Sequence, residues 1–138
     1  MKYLFLLAIL ALSTTAKGQN IVGQWETYDD KTNEKKGVVK IYKTNNLYFA
    51  KIVKKYGGEK NTICKECKGD KKDKPILGLI IIENLNNTGT RYEGGTILDP
   101  QTGKIYSCYL ELIKDNKLKV RGFIGMSILG RTQYWNRK

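Results

Sequence analysis

The 138-residue chain has no histidine, two prolines, two methionines and three cysteines. Without histidine it lacks the commonest general base near neutral pH, and the commonest nitrogen ligand for a transition metal. Ser107 and Ser127 therefore have no evident activating partner. Glu26, Glu83, Glu93 and Glu111 fall on different predicted strands, and nothing in the sequence brings two of them together. No glycine-rich loop precedes a helical segment in the manner of a phosphate cradle. The expectation is a binding protein rather than an enzyme, with no catalytic residues, no metal and no cofactor.

Long apolar runs are also missing. The longest, Tyr3–Leu12, falls short of the ~20 residues that span a bilayer as a helix. It follows Lys2 and precedes the small-residue contexts Thr14-Thr15-Ala16 and Ala16-Lys17-Gly18, the layout of a secretory signal peptide over residues 1–18. No cysteine closes the apolar run, so no bacterial lipid-anchor site is expected. Residues 19–138 then form one exported domain, periplasmic or secreted, with no transmembrane segment.

Acid is scarce as well. Thirteen Asp and Glu face twenty-five Lys and Arg, for a net charge of +12, and removing Lys2 and Lys17 leaves +10. Such a balance favours acidic partners. Most lysines alternate with apolar residues, however, and so are expected to solvate an outer face. Nucleic acid is disfavoured, because export removes most of that substrate and the basic run holds a single aromatic, Tyr56, rather than an interleaved series.

What remains is alternation. Val22–Tyr28, Gly37–Lys43, Leu47–Val53, Ile76–Leu85, Thr90–Leu98, Lys104–Ile113, Leu118–Phe123 and Arg131–Trp135 read as strands. Thr44-Asn45-Asn46 reads as a tight hairpin turn, Asp99-Pro100-Gln101-Thr102-Gly103 as a turn, and Gly94-Gly95 as a bulge or bend. The Gly125–Leu129 link has room for one helical turn. Lys54–Pro75 is a long, charged loop that cannot form a core of its own. Eight sequential strands with mostly short connections predict an all-β, antiparallel up-and-down barrel, with a two-sheet sandwich as the alternative.

Gly23-x-Trp25 early in the first strand resembles the lipocalin and calycin signature. A broader resemblance, to the bacterial exported family called domain of unknown function 2147, runs across the mature chain. It is carried by Gly23-x-Trp25, Cys64-x-x-Cys67, Pro75-Ile76-Leu77-Gly78 and Gly94-Gly95-x-Ile97-x-Asp99-Pro100. Further on come Gly103-Lys104-x-Tyr106, Val120-Arg121-Gly122-Phe123 and Gly130-Arg131-x-x-x-Trp135. The resemblance implies a lipocalin-like barrel and no settled activity. The lipocalin and calycin resemblance implies that a late basic residue packs across Trp25, with Arg131 the first candidate and Arg121 the second.

Tyr48, Tyr92 and Tyr106 lie at positions that can face inward, as ligand contacts or as core. Arg121 has a second reading, as a grip on a ligand carboxylate or phosphate. In an exported protein, Cys64 and Cys67 are expected to form a bridge that pins the loop. A bridge from either one to Cys108 is the next reading, and a metal or redox site the last. If unbridged, Cys108 is a small buried hydrophobe. The functional expectation is a small apolar or amphipathic ligand, acidic ones included, held in the barrel. The alternative is an envelope-associated module that docks on anionic lipid or polysaccharide through Lys54–Lys74, where eight lysines against four acids leave a local charge of +4.

Overall fold

A computed structural model describes residues 20–59 and 61–138. The Met1–Gly18 signal peptide expected above lies outside them. Eight strands follow in chain order: β1 (Gly23–Tyr28), β2 (Lys35–Thr44), β3 (Leu47–Lys55), β4 (Ile80–Asn87), β5 (Tyr92–Leu98), β6 (Ile105–Lys114), β7 (Lys117–Phe123) and β8 (Gly130–Arg137). Each pairs antiparallel with the next, and β1 pairs with β8, so the sheet closes as a barrel in simple sequential order. The sandwich alternative is excluded. Closure removes the two sheet edges that an open meander would expose.

Period-two patterning explains which face turns inward. Val39 and Ile41 on β2, Ala50 on β3, Ile82 and Leu85 on β4, and Leu118 and Val120 on β7 are all buried in one cluster. The outward positions between them carry lysines such as Lys40, Lys51 and Lys119. Asn45 and Asn46 take φ of 51° and 64°, as a two-residue hairpin turn requires. The expected irregularity at Gly94-Gly95 is a register shift between Glu93 and Gly95.

Three stretches depart from the sequence reading. The strand expected at Ile76–Leu85 begins only at Ile80. Gly78 turns at φ 88°, so the chain bends back to exchange hydrogen bonds with Ile52 before β4 starts. Gly125–Leu129 holds no helical turn. It is a compact loop in which Ile124 and Leu129 backbones pair, N to O, at 3.2 Å. The β3–β4 connection is folded, with Ile63 bridged to Pro75 and a turn of 3-10 helix at Gly69–Lys71. Lys71 Nζ donates to Ile80 O and Glu83 Oε2, each at 2.9 Å.

The up-and-down order places the β1–β2, β3–β4, β5–β6 and β7–β8 connections at one end. The three other turns and both chain ends of the barrel lie at the other. No helix among the described residues is long and apolar enough to cross a membrane.

Candidate functional site

The closed end is packed around Trp25, which is fully buried. Its indole N–H donates to Ile21 O at 2.8 Å, tying the segment before β1 across the barrel. The arginine across the ring is Arg137, with its guanidinium 4.3 Å from the ring centroid. Arg137 also donates to the carbonyls of Asn20, Val22 and Asp115, joining the segment before β1 to the β6–β7 turn. Gly23 takes φ 137°, and a Cβ there would sit 3.2 Å from the Arg137 guanidinium. Glycine thus lets the arginine approach.

This corrects the expectation for Arg131. The register sets Trp25 opposite Arg137, while Arg131 pairs with Gly122 at the other end of β8. Arg131 instead reaches Asp30 at 3.0 Å with its side chain 67% exposed. Arg121 is corrected too, both as the Trp25 partner and as a ligand grip. It alternates with the inward Val120 and Gly122, so it faces out. There it donates to Ser127 O and Ile128 O and to Thr132 Oγ1.

The open end holds a cavity of about 1090 Å³. Val39, Ile52, Ile81, Ile97, Val120 and Trp135 supply its apolar strand walls. Tyr106 lines it, and Gly122 leaves room in its wall, since a Cβ there meets nothing nearer than Ile97 at 3.5 Å. Charged and polar groups gather at its mouth, and a small hydrogen-bonded set stands on β8 beside the apolar walls. Trp135 Nε1 donates to Gln133 Oε1 at 3.3 Å, and Gln133 Nε2 donates in turn to the Asp30 carboxylate at 3.0 Å. Aliphatic walls beneath a charged mouth are a make-up that suits an amphipathic small molecule.

Tyr48 and Tyr92 do not reach this cavity. They meet edge to face at 4.8 Å in the core cluster, and burial raises the Tyr92 hydroxyl pKa. They belong to the packed half of the barrel.

The rim carries both signs. Lys36, Lys54, Lys55, Lys65 and Arg131 line it together with Asp29, Glu59, Glu66 and Asp99. Two of the acids are occupied as turn caps. Asp29 accepts from the Thr32 and Lys31 backbones, which lowers its pKa, and Asp99 accepts from the Gln101 backbone. Among the described residues, Lys36, Lys54 and Lys65 form no ion pair.

A Cys64–Cys67 disulfide pins the rim, with a Cα–Cα distance of 5.3 Å. Both sulfurs are buried, and Gly103 explains how the loop seats. At φ 72° it lies so close to Glu66 that a Cβ would collide with the Glu66 carbonyl. Cys108 is unbridged and buried, and desolvation pushes its thiol up to about 12. It therefore has little thiolate at neutral pH.

Carboxylates are dispersed rather than paired with one another. Glu26 binds Lys35 at 3.0 Å, which lowers the Glu26 pKa, while Glu83 binds Lys71 and Glu93 binds Arg91. Among the described residues, no group of three or more His, Cys, Asp or Glu could hold a metal ion.

Residues 23–137 match the family described as an uncharacterized protein conserved in bacteria, DUF2147. The chain belongs to that family. A similar solved structure is described as "Protein HP1028 from the human pathogen Helicobacter pylori belongs to the lipocalin family". It aligns with a TM-score of 0.77 at 18% identity, covering 86% of this chain and 83% of that one. At that identity the likeness establishes the barrel fold. No curated protein matches the chain.

The DUF2147 barrel thus has two unequal halves. Trp135, Gln133 and Ile97 are cavity residues that the sequence reading did not single out. For Ile97 the signal was nearness to an open-end turn, since it immediately precedes Leu98-Asp99; Trp135 pairs with Leu118 towards the closed end of β8, and only its inward alternation with Gln133 marks it.

Proposed function

We propose that this DUF2147 protein is an exported carrier that holds one small apolar or amphipathic molecule, including an acidic one, in its open-end cavity. The observation that carries this reading is the cavity of about 1090 Å³, walled by aliphatic side chains and Trp135. An eight-stranded barrel is just wide enough either to fill with side chains or to keep space for one ligand. Here Trp25, Tyr48 and Tyr92 fill one half, and the other half is left open. The apolar part of a ligand would lie against Ile97 and Val120. An acidic head would meet Lys36, Lys54 or Lys65 at the rim, the cations without ion partners.

Export and a cleaved residue 1–18 signal belong to the same proposal. They are supported by the Tyr3–Leu12 apolar run and by the disulfide, which persists in oxidising compartments. The proposal assigns no catalysis and no cofactor. The absence of histidine, the commonest general base near neutral pH, supports that reading.

Native mass spectrometry of the purified chain, followed by titration with a fluorescent long-chain carboxylic acid, tests the reading. Binding is expected in or below the micromolar range. Gly122→Leu, which adds bulk to the cavity wall against Ile97 and Tyr106, should weaken it by about tenfold or more. A wild-type chain that carries nothing and does not respond to the probe would refute the carrier.

A further inference from the structure

Ile124, Met126, Ile128 and Leu129, all in the β7–β8 connection, are 67–76% exposed. Ile105 and Ile63 add exposed apolar surface at the same end of the barrel. With Leu77, also in the β3–β4 connection, seven of the ten large apolar side chains exposed among the described residues gather around the open end. The arrangement is held in place. Arg121 donates to the carbonyls of Ser127 and Ile128 and anchors them to Thr132 on β8. The loop is thus fastened to the outer wall, with Met126 and Ile128 outside the cavity and Ile124 and Leu129 lining it.

Basic charge stands on the same rim. Lys54, Lys55 and Lys65 line the cavity with Ile124 and Leu129, and the 54–74 segment carries +4. Its folded state limits what lysine alone can do there, because Lys71 is engaged by Glu83 and Lys72 by the Lys65 carbonyl.

We propose that the open end docks onto a bilayer containing anionic lipid. Met126 and Ile128 enter the boundary between headgroups and acyl chains, and the remaining lysines meet the headgroups. Apolar side chains at a tip flanked by cations is the pattern of interfacial membrane contact. A second copy is a poor occupant, because it would bring two 54–74 segments, each of charge +4, against one another. The continuity of the lining also favours lipid. Ile124 and Leu129 connect the exposed tip to the aliphatic walls, so an amphipathic molecule can pass between bilayer and cavity along an apolar path. Docking itself does not depend on the cavity being filled.

The test is flotation of the chain from residue 20 onward, which contains all eight strands of the closed barrel. Omitting the Tyr3–Leu12 run removes a segment that would partition by itself. Vesicles of two parts phosphatidylcholine to one part phosphatidylglycerol are compared with pure phosphatidylcholine. Flotation is expected on the acidic vesicles, weaker on the neutral ones and weaker at high salt. Met126→Ser with Ile128→Ser should lower partitioning by about tenfold, with an unchanged unfolding curve and unchanged binding of the fluorescent acid in vesicle-free buffer. In a Met126→Trp chain, the added indole emission should shift to the blue on acidic vesicles. The proposal is overturned by any of four results: no flotation, equal flotation on neutral vesicles, a double serine variant that floats like the wild type, or no emission shift.

Discussion

The barrel contains two tryptophans, and both are buried, Trp25 at 0% and Trp135 at 2% exposure. Their surroundings differ. Trp25 donates to a backbone carbonyl and lies under Arg137, enclosed by protein on every side. Trp135 donates to a side-chain amide, longer at 3.3 Å, and borders the cavity. A backbone acceptor is fixed by the fold, whereas Gln133 can reorient to follow a ligand. Burial alone therefore does not distinguish a side chain that plugs the barrel from one that lines it. The difference lies in what stands on the other side of the ring.

The sharpest way to break this contrast is to remove the plug. Trp25→Ala should cost about 3–5 kcal/mol in denaturant unfolding, the range for a large aromatic taken out of a close-packed core. Trp135→Ala should cost less, because one of its faces already borders space, and should weaken probe binding more than it lowers stability. Equal losses from the two substitutions would mean that the ends are packed alike. The next effect belongs to the rim. Replacing Cys64 and Cys67 together with alanine opens a very short covalent loop, for which chain entropy accounts for about 2 kcal/mol. That loss should appear mainly as hydrogen exchange in the β3–β4 connection, with the Trp25 end unchanged. Faster exchange around Trp25 would show that the two halves unfold as one unit.

The strands were legible in the sequence because one face of each is buried and the other is wet, and period-two alternation records that directly. The Asn45-Asn46 turn was legible because few residues accept positive φ at two consecutive positions. The cavity was not legible, since alternation marks Tyr48, Tyr92 and Tyr106 alike as inward. What separates them is height along the barrel. Tyr48 and Tyr92 directly follow the β2–β3 and β4–β5 turns at the closed end, whereas Tyr106 follows an open-end turn. Counting hairpins from Trp25 would have sorted them. In the β3–β4 connection the sequence shows a charged loop and the cysteine pair that pins it, but not the backbone bridge or the turn of 3-10 helix, because its composition is charged. The bridge, the disulfide and the close seat at Gly103 supply the order that apolar residues do not.

The same count explains the arginines and sets the smallest effect. β1 leaves the closed end, and seven reversals later β8 returns to it, so a basic residue at the end of β8 stands beside Trp25 and one at its start does not. Arg137→Ala removes three carbonyl contacts and the contact with the indole face. The guanidinium is partly wet, so the loss should be about 1–2 kcal/mol in chemical unfolding. Arg131→Ala breaks one exposed ion pair and should stay within about 0.5 kcal/mol of the wild type. Arg137→Lys sharpens the pair further, because a lysine keeps the charge but cannot hold the Asn20, Val22 and Asp115 carbonyls with one planar fork. It should recover less than half of the loss. Near-complete recovery by lysine would mean that charge over the ring, rather than the tie between the segment before β1 and the β6–β7 turn, keeps this end shut.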